Sequence, residues 1–219
     1  MNRYLYTDHI DVEQVVTELY DPQKPGVMSF PATITTHGQK ELHEAALESR
    51  SFFEDAPRTT KSGVIQEMRT IYLARHEQGT LPAILTQRIR QLCEEYALIH
   101  QRIAEHAGFH TPFNSIGIHE YYAGSAGITP HQDFAADENL IASFVIKGNA
   151  EFYACKNREG DGSLLFDAPA GTLILMRAAR NKKELKLRPF HYLKGPLLED
   201  RYSILIRTLN KKKKTEAYG

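Results

Sequence analysis

Two histidines and one aspartate are the residues in this chain best suited to bind a metal ion. His131 and Asp133 are separated by one residue, and at a strand end both can turn toward one point, because alternate strand residues share a face. His191 can supply a third ligand from a later strand. Two imidazoles and one carboxylate on one side of a metal leave positions open on the other. That ligand set suits non-haem ferrous iron in oxygenases.

A second set of polar residues follows on a strongly β-patterned segment. Arg201, Ser203 and Arg207 lie at alternate positions, so they share one strand face. A buried arginine without an anion partner would be costly. We therefore expect an anion to bind beside the metal site.

Composition limits the class of protein. The chain has 219 residues, 42% of them hydrophobic, which is enough for a substantial core and favours one domain. The 27 basic and 27 acidic side chains give zero formal net charge, so no overall field attracts nucleic acid or an anionic membrane. Residues 211–214 are four lysines, which most often form a solvated terminus.

Two features of the sequence indicate an intracellular location. Cys93 and Cys155 lack metal-binding spacing, and we expect two reduced thiols. Residues 1–8 lack the apolar run of a signal peptide, and no segment reaches membrane-spanning length. The sequence therefore predicts a soluble, cytoplasmic protein without membrane partners.

The first half of the chain has helical periodicity. Apolar residues at helical spacing predict helices at 11–20, 39–53 and 81–106. Residues 21–38 contain three prolines and predict a loop or irregular strand that either covers a site or wraps the core. A further strand is possible at 69–73.

From residue 115 the apolar period changes to two, and β-branched and aromatic residues accumulate. This favours an antiparallel sandwich or barrel, within a fold that is mainly β with flanking helices. The seven candidate strands are 116–122, 140–147, 150–155, 163–166, 172–177, 187–192 and 202–209.

Three motifs in the second half resemble the catalytic core of the Fe(II)/2-oxoglutarate-dependent dioxygenases, most closely their AlkB-like branch. Tyr122-Ala-Gly precedes Ile-Thr-Pro-His131-Gln-Asp133, Arg-Pro-Phe-His191 resembles the segment with the distal histidine, and Arg201 to Arg207 matches an R-x5-R ending. Each motif is weak alone, but the ordered combination is specific.

The resemblance implies a double-stranded β-helix, or jelly roll. It places this core at residues 112–210 and assigns residues 1–111 to helical support and a substrate lid. Residues 1–210 would form a single oxygenase domain, followed by a basic flexible tail at 211–219.

The resemblance also implies roles for individual residues. His131, Asp133 and His191 would bind Fe(II), with sites left for 2-oxoglutarate and O2. The reaction would oxidise a substrate C–H bond by hydroxylation or a related oxidation and release succinate and CO2. The residues expected to bind 2-oxoglutarate are Arg201, whose guanidinium matches a carboxylate, together with Ser203, Arg207 and Tyr122.

Departures from the AlkB-like pattern concern the substrate. Glu120 stands where that pattern has asparagine, and Phe134 and Ala135 follow the metal motif where repair enzymes carry an acidic residue. These features favour a small molecule, such as an amino acid or biosynthetic intermediate, over demethylation of alkylated DNA or RNA bases. Nucleic acid stays a possible partner, and the oligomeric state is undetermined. Candidate substrate-binding residues are His119, Glu120 and Phe134.

A non-enzymatic interpretation is also available. A cupin-like or sandwich binding module could carry the same histidines and arginines in structural roles. Arg201 in a β-patterned strand argues against it, because a buried arginine without an anion partner would be costly. Iron dependence and succinate formation would distinguish the two interpretations.

Overall fold

The computed structural model describes residues 3–73 and 83–210, so the predicted tail at 211–219 lies outside the described residues. Within these described ranges there are three α-helices, α1 (Val12–Tyr20), α2 (Thr36–Glu48) and α3 (Ala83–Ala107). The strands are β1 (Val27–Phe30), β2 (Glu54–Asp55), β3 (Arg69–Tyr72), β4 (Ser115–Tyr121), β5 (Gly127–His131), β6 (Asp137–Lys147), β7 (Phe152–Cys155), β8 (Leu164–Phe166), β9 (Leu173–Arg177), β10 (Phe190–Lys194) and β11 (Arg201–Leu209).

The strands form two antiparallel sheets. The major sheet has the order β1-β9-β6-β11-β4-β3-β2, and the minor sheet has the order β5-β10-β7-β8. From β4 onward the chain alternates between the two sheets, except that β7 and β8 pair as a hairpin within the minor sheet, so the chain winds as a double-stranded β-helix. The fold class predicted from the sequence is confirmed.

The helices cover the outer face of the major sheet. The predicted stripe on α3 is buried, with Leu85, Leu92, Tyr96 and Ile103 at 1% exposure or less. It belongs to one apolar cluster with alternate residues of the central strands, such as Ile204. A second apolar cluster lies between the two sheets. The major sheet is therefore buried on both faces, and each central strand divides its side chains between the helices and the interior of the β-helix.

Most predicted elements are confirmed, with shifted ends. The helix predicted at 39–53 begins at Thr36, because Thr35 accepts a hydrogen bond from the Gly38 amide as an N-cap, and it ends at Glu48. The strand predicted at 187–192 begins at Phe190, because a 3₁₀ helix occupies Lys182–Leu187. The predicted start of α3 at residues 81–82 lies outside the described residues.

The strands β2 and β5 were not among those predicted. The proline-rich segment, predicted as a loop or irregular strand, contains β1, which pairs with β9 at the edge of the major sheet and therefore wraps the core. The short strand β5 carries His131 and pairs with β10. Cys93 and Cys155 are free thiols, as predicted.

Helices long and apolar enough to cross a bilayer are not found within residues 3–73 and 83–210.

Candidate metal and carboxylate site

The minor sheet brings the three candidate ligands together. In the β5 and β10 pair, His131 lies directly opposite His191, and their ring centroids are 4.3 Å apart. Asp133 lies two residues past the end of β5, with Oδ2 3.5 Å from Nε2 of His191. One ligand atom from each residue lies within 4.8 Å of the others. The spacing is that of a site with room for one ion between the three groups.

Hydrogen bonds orient both imidazoles. Nδ1 of His131 lies 2.9 Å from the carbonyl oxygen of Thr129, and Nδ1 of His191 lies 3.3 Å from that of Pro189. With Nδ1–H donating to a carbonyl, each ring keeps the Nε2 lone pair for a metal. Burial lowers the pKa of His131 to about 4, so this ligand is neutral at neutral pH.

The Asp133 carboxylate is ionised at neutral pH. Burial alone would raise its pKa, but His191, His131 and Arg207 act in the opposite direction, and the pKa falls below its usual range. A carboxylate that is anionic at neutral pH therefore faces two imidazoles, and an imidazole binds a metal ion in its neutral form. This donor chemistry fits a divalent first-row metal such as Fe(II).

The triad opens into a cavity of about 800 Å³ between the two sheets. The opposite wall is formed by β11, whose alternate residues Arg201, Ser203, Leu205 and Arg207 all line it. The predicted shared face of this strand is confirmed.

Arg201 lies on the wall of this cavity. Its side chain is buried, and Nε has no hydrogen-bond partner among residues 3–73 and 83–210. Burial lowers its pKa to about 10, so the guanidinium still carries its charge at neutral pH, and Tyr121 acts to raise the pKa. A buried cation with an unsatisfied donor costs free energy unless an anion binds to it. Its place on the cavity wall is suited to a carboxylate-bearing ligand.

Arg207 differs because it has a carboxylate neighbour. Nη1 lies 3.6 Å from Oδ2 of Asp137, a residue that is 1% exposed. Burial raises the pKa of Asp137 to about 7, with Asp133 adding to the increase and Arg207 opposing it. Sequence reasoning missed Asp137. Its signal was a charged residue at the start of a strand that is mainly apolar from Leu140 onward, four positions after Asp133.

The orientation of β4 differs from the one implied by the motif. Gly117, His119 and Tyr121 alternate on the cavity face, since His119 and Tyr121 line the cavity. Tyr122 follows the end of the strand, is 42% exposed and is not among the residues that line the cavity. A one-residue shift reverses the face of every strand residue. Tyr121 therefore occupies the place that the resemblance assigned to Tyr122.

Two of the three predicted substrate-binding residues, His119 and Phe134, line the cavity. The side chain of His119 is 8% exposed, and none of the described residues forms a hydrogen bond with Nε2. Burial lowers its pKa to about 3, and nearby Arg207 acts in the same direction, so the ring is neutral at neutral pH. Phe134 also lines the cavity, and with 51% exposure it lies at the mouth.

Glu120 points away from the cavity, which corrects its assignment to substrate. Its fully buried carboxylate lies 2.8 Å from Nη2 of Arg50 and 3.2 Å from Nη1 of Arg69, and it accepts a hydrogen bond of 2.5 Å from the Tyr202 hydroxyl. The physical reason is strand alternation, which puts Glu120 and Tyr202 on the helix side of the major sheet. The contacts indicate a structural role.

We predict that Glu120→Ala lowers the free energy of unfolding by about 3 kcal/mol, because two arginines lose a buried carboxylate partner. Urea denaturation measures this effect, with exposed Glu48→Ala as the control. Ligand affinities of the folded variant should match those of the parent. A changed substrate affinity at parental stability would contradict the structural role.

A covering segment closes one side of the cavity. We call residues 56–68, between β2 and β3, the strap. It hydrogen-bonds along the exposed edge of β5, where the Glu67 amide donates to the Gly127 carbonyl at 2.8 Å and the Thr129 amide donates to the Ile65 carbonyl at 2.9 Å. The strap residues that line the cavity are Ala56, Pro57, Thr59, Thr60, Lys61, Ser62, Val64, Gln66 and Met68. None of the helices and strands predicted from the sequence falls in this segment.

No protein-family model matches the chain, and no curated protein matches it. Solved structures match along nearly the whole length. A prolyl hydroxylase from Trichoplax adhaerens, in complex with a peptide fragment of the hypoxia inducible factor oxygen degradation domain, is 14% identical with a TM-score of 0.67, and the match covers 95% of this chain and 94% of that one. A prolyl-4-hydroxylase from Pseudomonas putida is 11% identical with a TM-score of 0.63, covering 90% and 100%.

A third similar structure is the non-heme alpha ketoglutarate dependent epimerase SnoN from nogalamycin biosynthesis. It is 13% identical with a TM-score of 0.63, and the match covers 90% of this chain and 81% of that one. At these identities the likeness shows a shared double-stranded β-helix. It leaves the AlkB-like branch as a prediction from the sequence motifs.

Proposed function

We propose that this chain is an Fe(II)- and 2-oxoglutarate-dependent oxygenase. One observation carries the proposal: the buried guanidinium of Arg201, whose Nε has no partner in the part of the chain that the structure describes, lines the same cavity as an open two-histidine, one-carboxylate metal site. A metal site alone would suit several chemistries. An anion-binding arginine across the cavity adds the requirement of a dicarboxylate cosubstrate such as 2-oxoglutarate. The solved structures with this fold include a protein described as alpha ketoglutarate dependent.

The cosubstrate contacts follow from the β4 and β11 faces. Arg201 pairs across the sheet with Tyr121, and Ser203 pairs with His119. Arg201 would bind the far carboxylate of 2-oxoglutarate through paired N–H donors, and the Ser203 and Tyr121 hydroxyls would add hydrogen bonds. His131, Asp133 and His191 would hold Fe(II), which supplies the oxidising centre for 2-oxoglutarate decarboxylation and substrate C–H oxidation when bound.

Protein groups control access and charge at this site. Arg207, held beside Asp137, adds positive charge on the Asp133 side of the cavity. The strap and Phe134 restrict the mouth and limit entry of water. The strap is thus our proposed lid, within the N-terminal half to which the sequence assigned one.

We propose a small-molecule substrate. A cavity of about 800 Å³ is in the range of small-ligand sites, which run from about 300 to 1,000 Å³. The strap is hydrogen-bonded to β5 and closes that side of the cavity. A compact substrate fits such a partly closed cavity better than a polymer does. Among the similar structures, one protein belongs to nogalamycin biosynthesis and another is in complex with a peptide fragment, so the fold accommodates different substrate classes.

The test is anaerobic titration with Fe(II) and then 2-oxoglutarate, followed by a substrate screen in air scored by succinate release. Metal-dependent 2-oxoglutarate binding and succinate release stimulated by a metabolite pool are expected. Salt-sensitive binding to single strands, with succinate release stimulated only by alkylated DNA or RNA, would instead favour base demethylation. A protein that binds neither metal nor 2-oxoglutarate would be a binding module.

The neighbouring tyrosines provide a matched pair of variants. We predict that Tyr121→Phe raises the Kd for 2-oxoglutarate about 5- to 10-fold, since one hydrogen bond contributes about 1 kcal/mol, whereas Tyr122→Phe leaves it unchanged. Isothermal titration with the Mn(II)-loaded protein measures both values. A larger effect at Tyr122 would restore the motif-based assignment.

A further inference from the structure

Arg188 connects the two chain segments that carry the candidate metal ligands. It lies three residues before His191, directly after the 3₁₀ helix Lys182–Leu187. Its Nη1 donates to the carbonyl oxygen of Asp133, and Nη2 lies 3.4 Å from Oε1 of Gln132. A third bond, from Nε to the carbonyl oxygen of Leu185 at 3.0 Å, fixes the guanidinium relative to its own segment.

Gln132 forms a second link between the same two segments, in the opposite direction. Its side-chain Nε2 donates to the carbonyl oxygen of Arg188 at 2.7 Å. The side chains of Arg188 and Gln132 therefore each bond to the other segment. Neither residue contributes a ligand atom to the candidate metal site, which uses the two histidines and Asp133.

These hydrogen bonds lie just beyond the end of the β5–β10 pairing, where sheet hydrogen bonds no longer hold the backbone. The pairing of β5 with β10 reaches His131 and His191, and β5 ends at His131. Asp133 is thus beyond the strand, although its carboxylate has to face two imidazoles that the strands hold. An arginine that binds the Asp133 carbonyl can set the direction of that carboxylate.

We infer that Arg188 is a positioning residue for the metal site: by bonding the Asp133 carbonyl and Gln132, it holds the aspartate ligand in register with His191. The inference rests on the proposed function, because it assumes that the triad binds a metal. Outer partners of this kind orient metal ligands, and their loss typically lowers metal affinity by about 10- to 100-fold.

The test is Mn(II) binding to the metal-free protein, measured from the loss of the free-ion EPR signal. Arg188→Met keeps the aliphatic stem and removes the donors. Arg180→Met is the matched control, because Arg180 lies in the same region and bonds to Glu184 and the Ala107 carbonyl, away from the triad. We expect Arg188→Met to raise the Kd for Mn(II) by roughly 10- to 100-fold and Arg180→Met to leave it unchanged.

Further variants separate positioning from folding. Gln132→Leu should also weaken Mn(II) binding, and its effect should not add fully to that of Arg188→Met, because both remove the same connection. Thermal unfolding of the metal-free proteins should place Arg188→Met close to Arg180→Met. If Arg188→Met does not fold, Arg188→Lys and Gln132→Leu carry the test with the same expectation of weaker binding.

The outcomes separate this inference from the proposed function. A parent protein that binds neither Mn(II) nor 2-oxoglutarate would contradict the proposed function. A parent that binds Mn(II), with unchanged affinity in folded variants at 188 and 132, would overturn the positioning role alone. Equal losses in Arg188→Met and Arg180→Met, matched by equal losses of thermal stability, would also overturn it.

Discussion

Asp133→Ala is expected to reduce Mn(II) and Fe(II) affinity by more than about 100-fold, beyond the effect of losing an outer partner, and to abolish succinate release. The carboxylate is the anionic member of the triad, and the remaining imidazoles of His131 and His191 are neutral when they ligate. Removing it leaves two ligands and no charge neutralisation for a divalent ion. EPR titration with Mn(II) measures the affinity, and a succinate assay measures turnover.

Asp167→Ala is a suitable control for this change, because Asp167 is an exposed aspartate on the same half of the chain. It should bind metal as the parent does. Thermal unfolding without metal should show that the Asp133 variant is folded. Parental metal affinity in folded Asp133→Ala protein would exclude this triad as the metal site.

Arg201→Met is expected to raise the Kd for 2-oxoglutarate roughly 10- to 150-fold, the equivalent of about 1.5–3 kcal/mol for hydrogen bonds to a charged group. Mn(II) affinity should not change. The variant should also unfold at a higher temperature than the ligand-free parent, because an apolar side chain replaces a buried charge whose Nε has no partner. Isothermal titration and thermal unfolding measure the two effects.

Arg177 is the matched control for Arg201. It is also a buried arginine, but Nε donates to the Leu187 carbonyl at 2.7 Å and Nη1 to the Asp21 carbonyl at 2.8 Å, and it does not line the cavity. Arg177→Met should therefore lower stability and leave 2-oxoglutarate affinity intact. If the two variants lost stability alike and bound 2-oxoglutarate alike, Arg201 would be a structural arginine.

The helices and most strands could be predicted from the sequence because their signals are local. The apolar stripe of α3 depends on 3.6-residue periodicity within one segment. The alternation of Arg201, Ser203 and Arg207 likewise depends only on strand geometry. β5 escaped prediction because it is five residues long, contains Pro130 and makes its hydrogen bonds to β10, some sixty residues away in the chain.

The candidate site shows the same division. Residue types and order already indicated His131, Asp133, His191 and Arg201 as candidate site residues, because few side chains bind a metal or a buried carboxylate. Whether Tyr121 or Tyr122 faces the cavity depends on a one-residue difference in register. A sequence motif can be matched with either tyrosine. In the folded chain, however, packing against the helices fixes which strand face is turned away from the cavity.

The sequence by itself thus determined the kinds of chemical group present and the local elements that carry them. The tertiary structure alone decided which groups meet: His131 with His191 across the minor sheet, Asp137 with Arg207, and Glu120 with Arg50 and Arg69 outside the cavity. The physical reason is that these contacts depend on pairing between distant strands and on the face that each strand buries. Strand pairing and the choice of buried face are set by the packing of the entire domain, so they cannot be read from the sequence of any one segment.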